Sequence, residues 1–112
     1  MKIYHNPRCR KSREGVQYLT DKKLNFEIID YLKEGVSEDD IKSILKKLNM
    51  SAIEIVRKNE KIWKDNFKGK ELKEDQIISI LCEEPKLIER PIIVHKNKAV
   101  IGRPKENIDN IL

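Results

Sequence analysis

One cysteine, Cys9, sits in the run His5-Asn6-Pro7-Arg8-Cys9-Arg10-Lys11-Ser12-Arg13, between an apolar start at Ile3-Tyr4 and an amphipathic helical pattern. A thiol at a strand-to-helix turn lies at the positive end of a helix dipole, where the first backbone N–H groups lack partners. Arg8, Arg10, Lys11 and Arg13 all lie within four residues of it. Both influences favour thiolate over thiol and lower the pKa. The chemistry this predicts is nucleophilic attack by sulfur. The same surroundings would hold an oxyanion against that sulfur. The competing reading is a small buried apolar residue that happens to open a helix.

Three more arginines could complete such a site. Arg57 falls in a segment that reads as a helix beginning near Ser51. Arg90 immediately precedes Pro91, and Arg103 lies in Gly102-Arg103-Pro104. Arg90 and Arg103 flank the open end of a hairpin that turns at Asn97, so pairing of its strands brings them together. Converging guanidinium groups each donate bidentately and suit a phosphate-shaped anion. The alternative for each is an ordinary surface charge.

His5, four residues before Cys9, could pair with the thiolate or bond the turn backbone. Ser12 is three residues after Cys9, so a helix puts its hydroxyl on the same side as the sulfur. His95 reads as an ordinary half-exposed strand end. Cys82, on an apolar helical face with Ile78 and Leu81, reads as a structural thiol, and nothing in the spacing brings it to Cys9.

These residues need a frame, and the chain's periodicity supplies one. Lys2–Tyr4 reads as a strand halted by Pro7, followed by a helix from about Arg10 to Lys22 and a strand over Leu24–Leu32. That order implies a parallel βαβ unit. Ser37 and Asp40 resemble a capping box ahead of Ile41, Ile44, Leu45 and Leu48. Ser51 with Glu54 opens a second capped helix to about Asn59, and a third runs from Glu74 to Cys82. Trp63 reads as a packing anchor in this block, and Asn66–Gly69 as a loop. Proline opens a strand over Pro91–His95, Lys96–Lys98 turns, and Ala99–Gly102 returns antiparallel. Pro104 starts a closing helix containing Ile108, Ile111 and Leu112. The sum is an α/β thioredoxin-like βαβ…ββα core, one domain over 1–112, with a mainly helical insertion at about 37–85.

The 112 residues suit a single core. Of these, 38% are charged and the net charge is +5, but the lysines are interleaved with glutamates rather than gathered into a basic stripe. Nucleic acid is therefore not an expected partner. Two cysteines are too few for a disulfide scaffold or a structural zinc site, so no metal is expected. The first residues are not those of a signal peptide and no apolar run approaches a membrane span, which makes a reducing cytoplasmic setting the default. No large apolar stripe stands out, so a monomer is expected.

The chain resembles the glutaredoxin-coupled arsenate reductase family. The likeness runs through Ile3-Tyr4-His5-Asn6-Pro7-Arg8-Cys9, Ser12-Arg13, Val56-Arg57-Lys58-Asn59, Glu84 to Val94 and Gly102-Arg103-Pro104. It implies a thioredoxin-like fold, catalytic Cys9, oxyanion-binding Arg57, Arg90 and Arg103, supporting His5 and Ser12, and a cis Pro91. It also implies arsenate as substrate, glutathione as co-substrate, glutaredoxin as the resolving partner, and no bound cofactor. The pair Arg10-Lys11 departs from the small Gly-Thr pair of well-characterised members. Two other functions compete. One is a glutathione-dependent thiol-disulfide oxidoreductase using Cys9. The other is an Spx-type regulator that binds RNA polymerase, although Ser12 replaces the second cysteine of that group's Cys-X-X-Cys switch.

Overall fold

The computed structural model describes all 112 residues, Met1–Leu112. Four short strands, β1 (Lys2–Tyr4), β2 (Glu27–Ile29), β3 (Ile92–His95) and β4 (Lys98–Ile101), form one sheet in the order β2-β1-β3-β4. β1 and β2 are parallel, while β3 runs antiparallel to both β1 and β4. This is the expected βαβ…ββα core. Tyr4 is aligned with Ile29 and Ile92, and Ile92 with Ile101. The C-terminal ends of β1, β2 and β4 and the start of β3 therefore share one edge of the sheet. The chain leaves that edge toward Cys9, Tyr31 and Arg103, and enters it from Arg90.

Alternation along β3 divides the core into two layers. Ile93 packs with Ile3, Leu19, Ile108 and Ile111 beneath α1 (Arg10–Asp21) and the C-terminal 3₁₀ helix. Ile92 and Val94 face the opposite way, into the helical segment between β2 and β3. That segment comprises α2 (Tyr31–Glu34), α3 (Glu38–Leu48), α4 (Lys61–Asn66) and α5 (Glu74–Glu83). Ile41, Ile44, Leu45 and Leu48 supply the buried stripe of α3. The Ser37–Asp40 capping box is present, with Asp40 N–H donating to Ser37 Oγ at 3.1 Å. Trp63 is buried on α4 and stacks at a tilt on Phe67, 5.5 Å between ring centroids. None of the helices is long and apolar enough to cross a membrane.

Several elements differ from the expectation. The strand read over Leu24–Leu32 is only Glu27–Ile29, because Asp30 caps a new helical turn at Tyr31 by accepting the Lys33 N–H. The helix read from Ser51 to Asn59 is a 3₁₀ turn at Ala52–Ile55. It stops where Val56 pairs with Ile88, and Arg57 N–H donates to Leu87 O at 2.7 Å. Arg57 is thus on extended chain, not on a helix. α4 carries too few apolar residues to register as periodic, and the closing helix is 3₁₀ over Lys105–Ile111.

Pro91 ties the two halves together. It follows a cis peptide bond from Arg90, and a second cis bond joins Arg103 to Pro104. Its buried ring lies between two glycines. A Cβ on Gly15 would sit 2.9 Å from Pro91 Cγ, and one on Gly102 would sit 3.2 Å from the same atom. Only the absence of side chains lets α1 and the end of β4 close on the ring. Gly15→Val should cost about 1–3 kcal/mol through overpacking against the rigid pyrrolidine. Urea unfolding measures this, and an unchanged midpoint would show that α1 can draw away from Pro91.

Candidate active site

The turn after β1 ends at Cys9, which occupies the N-cap position of α1 in extended backbone. Its N–H donates to Asn6 O at 3.0 Å, and Asn6 Oδ1 accepts from Arg8 N–H at 3.0 Å. Arg13 reaches back and donates to Pro7 O at 2.9 Å. The first turn of α1 holds no acidic residue, so nothing offsets its positive end.

Burial alone pushes the Cys9 thiol up. Hydrogen bonding and charge from the Arg90 guanidinium, with the backbone N–H groups of Ser12 and Lys11, outweigh it and bring the thiol below its ordinary range. The cations beside Cys9 in sequence are not the cause. Arg10 and Lys11 point outward to Glu14, at 3.6 and 3.5 Å. The decisive charge arrives from the far side of the sheet edge.

Helical spacing predicts the Ser12 hydroxyl beside the sulfur. Instead that hydroxyl lies 2.7 Å from His5 Nδ1 and accepts the Asn6 N–H at 2.9 Å. Ser12 meets the sulfur through its backbone. His5 is buried, and burial lowers its pKa despite the opposing charge of Asp30. A neutral imidazole paired with Ser12 braces the turn, and no hydrogen bond joins it to Cys9.

Arg57 and Arg103 line one hollow of about 370 Å³ with Glu89, the neighbour of Arg90. Arg57 is also held by carboxylates, with Nε 3.5 Å from Glu60 and a terminal nitrogen 3.9 Å from Glu89. Cys9 and Arg90 do not line this hollow, so two arginines occupy its walls and one stands at the sulfur. Nε of Arg57 and Nε of Arg90 are buried without hydrogen-bond partners.

Tyr31 is a residue that sequence reasoning missed. In the apolar run from Phe26 to Leu32 it reads as one more strand position. Here it opens α2, is 1% exposed, and has a buried hydroxyl with no partner. Burial pushes its pKa up to about 12, and the charges of Arg90, Cys9, Arg57 and Glu89 all act on it.

The other candidates lie elsewhere. His95 pairs with Lys98 at the opposite end of β3 from Arg90. Cys82, half-buried on α5, is a free thiol pushed up by burial and by Glu38, Asp40 and Glu83. No group of three or more His, Cys, Asp or Glu side chains is arranged to hold a metal ion.

Comparison with known proteins gives this geometry a context. The ArsC family matches residues 4–111. The chain is 40% identical to the uncharacterized protein YfgD of Escherichia coli (strain K12), across 100% of this chain and 96% of that one. It is 37% identical to an arsenate reductase of Haemophilus influenzae, covering 98% and 97% of the two chains. The solved arsenate reductase from Vibrio cholerae superposes with a TM-score of 0.94 at 35% identity, covering 100% of this chain and 98% of that one.

Two substitutions separate the influences on the sulfur. Arg90→Ala should move the midpoint of Cys9 alkylation against pH upward, toward an ordinary thiol. Ser12→Ala should leave that midpoint nearly unchanged, because the backbone N–H remains. It should instead cost about 1–3 kcal/mol of stability by stranding the Asn6 N–H and His5. A large Cys9 shift in Ser12→Ala, read by iodoacetamide kinetics, would overturn this division.

Proposed function

The chain belongs to the ArsC family, and on that premise we propose that it is an arsenate reductase that works through a Cys9 thiolate adduct, with glutathione and glutaredoxin as the reducing system. The observation that carries the reading is the approach of Arg90 to a thiol whose pKa is lowered. Arsenate reductases are among the relatives that match the chain nearly end to end.

The steps follow from the groups present. With its pKa lowered by Arg90 and the backbone N–H groups, Cys9 attacks without a separate base. Its sulfur bonds to arsenic(V), and one arsenate oxygen departs as water after protonation. Arg90, with Arg57 and Arg103 around the adjoining hollow, stabilises the charge on the remaining oxygens. Glutathione thiolate then attacks the Cys9 sulfur. A sulfur–sulfur bond forms as the arsenic–sulfur bond breaks, and its electron pair leaves with arsenic as arsenite. Two thiols have become one disulfide, which balances the two-electron reduction of arsenic(V) to arsenic(III). Glutaredoxin resolves the Cys9–glutathione disulfide.

In this scheme Ser12 and His5 keep the turn shaped and Pro91 holds Arg90 at the sheet edge. Cys82 has no part. Protein and reductant meet in a reducing cytoplasm, and one copy of the chain carries the whole site. The outward pairing of Arg10 and Lys11 with Glu14 leaves the mouth of the turn unblocked by these bulky side chains.

Arsenate-dependent turnover with glutathione and glutaredoxin tests the reading. Cys9→Ser should abolish it, and Arg90→Ala should lower kcat/KM by about 10²–10³. A wild type that does not turn over arsenate while Cys9 still titrates low would remove arsenate as the substrate and point to disulfides.

A further inference from the structure

Two side-chain donors near Cys9 are buried without a hydrogen-bond partner, the Tyr31 hydroxyl and Arg90 Nε, while Arg57 Nε, also buried, has only the Glu60 carboxylate at 3.5 Å in an ion pair. An unpaired buried donor costs about 1–3 kcal/mol, so folded proteins keep few of them. They belong to one neighbourhood. Tyr31 is the first residue after Asp30, where β2 leaves the edge of the sheet from which the Cys9 turn also departs. α2 packs against the 3₁₀ turn Pro85–Leu87. The chain that follows this turn pairs with Ile55–Arg57 before it reaches Arg90. Burial of the phenol ring in the core shared with Val56, Leu87, Ile88 and Ile92 fixes where its hydroxyl stands.

The arginines have a role in the scheme above, but Tyr31 has none. We propose that the Tyr31 hydroxyl is a further ligand of the oxyanion, donating a hydrogen bond to one of its oxygens beside the donors of Arg57 and Arg90. This rests on the oxyanion reading of the site. The phenol suits the task for two reasons. With a pKa of about 12 it stays protonated at any working pH and is always able to donate. It is also rigid and neutral, so it adds direction without adding to the mutual repulsion of the guanidinium groups. It discriminates as well. A tetrahedral oxyanion offers an oxygen acceptor, whereas a disulfide offers only weakly accepting sulfur. Tyr31 therefore favours an oxyanion over a disulfide substrate.

The test is protection of Cys9 from iodoacetamide by arsenate, followed in a Cys82→Ser background so that a single thiol reports. Tyr31→Phe keeps the ring and its packing and removes only the hydroxyl. The arsenate concentration for half-protection should rise about 10- to 100-fold, as expected for a lost hydrogen bond to a charged group. Without arsenate, the thermal midpoint should hold or rise, because an unpaired buried hydroxyl is gone. The pH midpoint of Cys9 alkylation should stay where it was.

Equal protection of both proteins would overturn the role of Tyr31 and leave the oxyanion site intact. An upward shift of Cys9 titration in Tyr31→Phe would overturn it too, since the hydroxyl would then serve the sulfur. A lower thermal midpoint would show that the hydroxyl is already paired within the protein, with the same consequence. Absence of any protection in the Tyr31-containing protein would bring down the oxyanion reading itself, and this inference with it.

Discussion

A guanidinium whose Nε is shut away from water next to a sulfur constrains nearly everything else in this protein. Arg90 Nε is buried without a hydrogen-bond partner, and its charge helps hold the Cys9 thiol below its ordinary range. Shutting one of the guanidinium's N–H donors away from water costs about 1–3 kcal/mol unless an acceptor answers it. The sulfur, once ionised, is such an answer, and it is helped by the N–H groups of Ser12 and Lys11 at the start of α1. The stabilisation is mutual. The arginine favours the ionised sulfur, and the ionised sulfur makes the arginine's position tolerable. Such a pair needs both partners to be delivered rigidly to one point.

Delivery is a property of the sheet. Cys9 leaves β1 and Arg90 enters β3, and those strands are neighbours in register at Tyr4 and Ile92. The Pro91 ring fixes the approach of Arg90, with α1 and β4 brought against it at Gly15 and Gly102. The helical segment does a different job. Its buried residues complete the core on one face of the sheet, and its Val56–Ile88 bridge carries Arg57 to the segment leading into Arg90. A segment that reads as an insertion is therefore the source of one wall of the site.

That division explains what could be read from the sequence. Strand order, the Cys9 turn and the hairpin whose open end lies beside Arg90 and Arg103 follow from local periodicity and from hairpin pairing, which are short-range rules. The two side chains nonetheless part, Arg90 to the sulfur and Arg103 to the hollow. The position of Arg57 does not follow from those rules. It depends on a bridge between residues 32 positions apart, and Ser51 with Glu54 signals a helix that this bridge cuts short. The electrostatics mislead in the same way. Four cations crowd Cys9 in sequence, yet the two that follow it turn outward to Glu14, and a residue 81 positions away supplies the charge. Tyr31 is hidden for a third reason. A tyrosine in a run of isoleucines carries β-propensity, and only the Asp30 cap reveals that the strand has already ended.

The unpaired donors give this arrangement its energetic character. The Tyr31 hydroxyl and Arg90 Nε, buried without hydrogen-bond partners, each lower stability by about 1–3 kcal/mol. A core built only for stability would replace the phenol with a phenyl ring. On the proposed oxyanion reading, keeping these donors buried means that their interaction free energy is released when an acceptor arrives and not before. The donors are then preorganised, and little reorganisation remains at the moment of binding. The same logic accounts for the position of the thiolate. An ionised Cys9 would place negative charge beside Arg90, while Arg57 and Arg103 line the adjoining hollow. On the proposed function, an oxyanion would enter beside that sulfur and so be bound at the nucleophile that is to attack it.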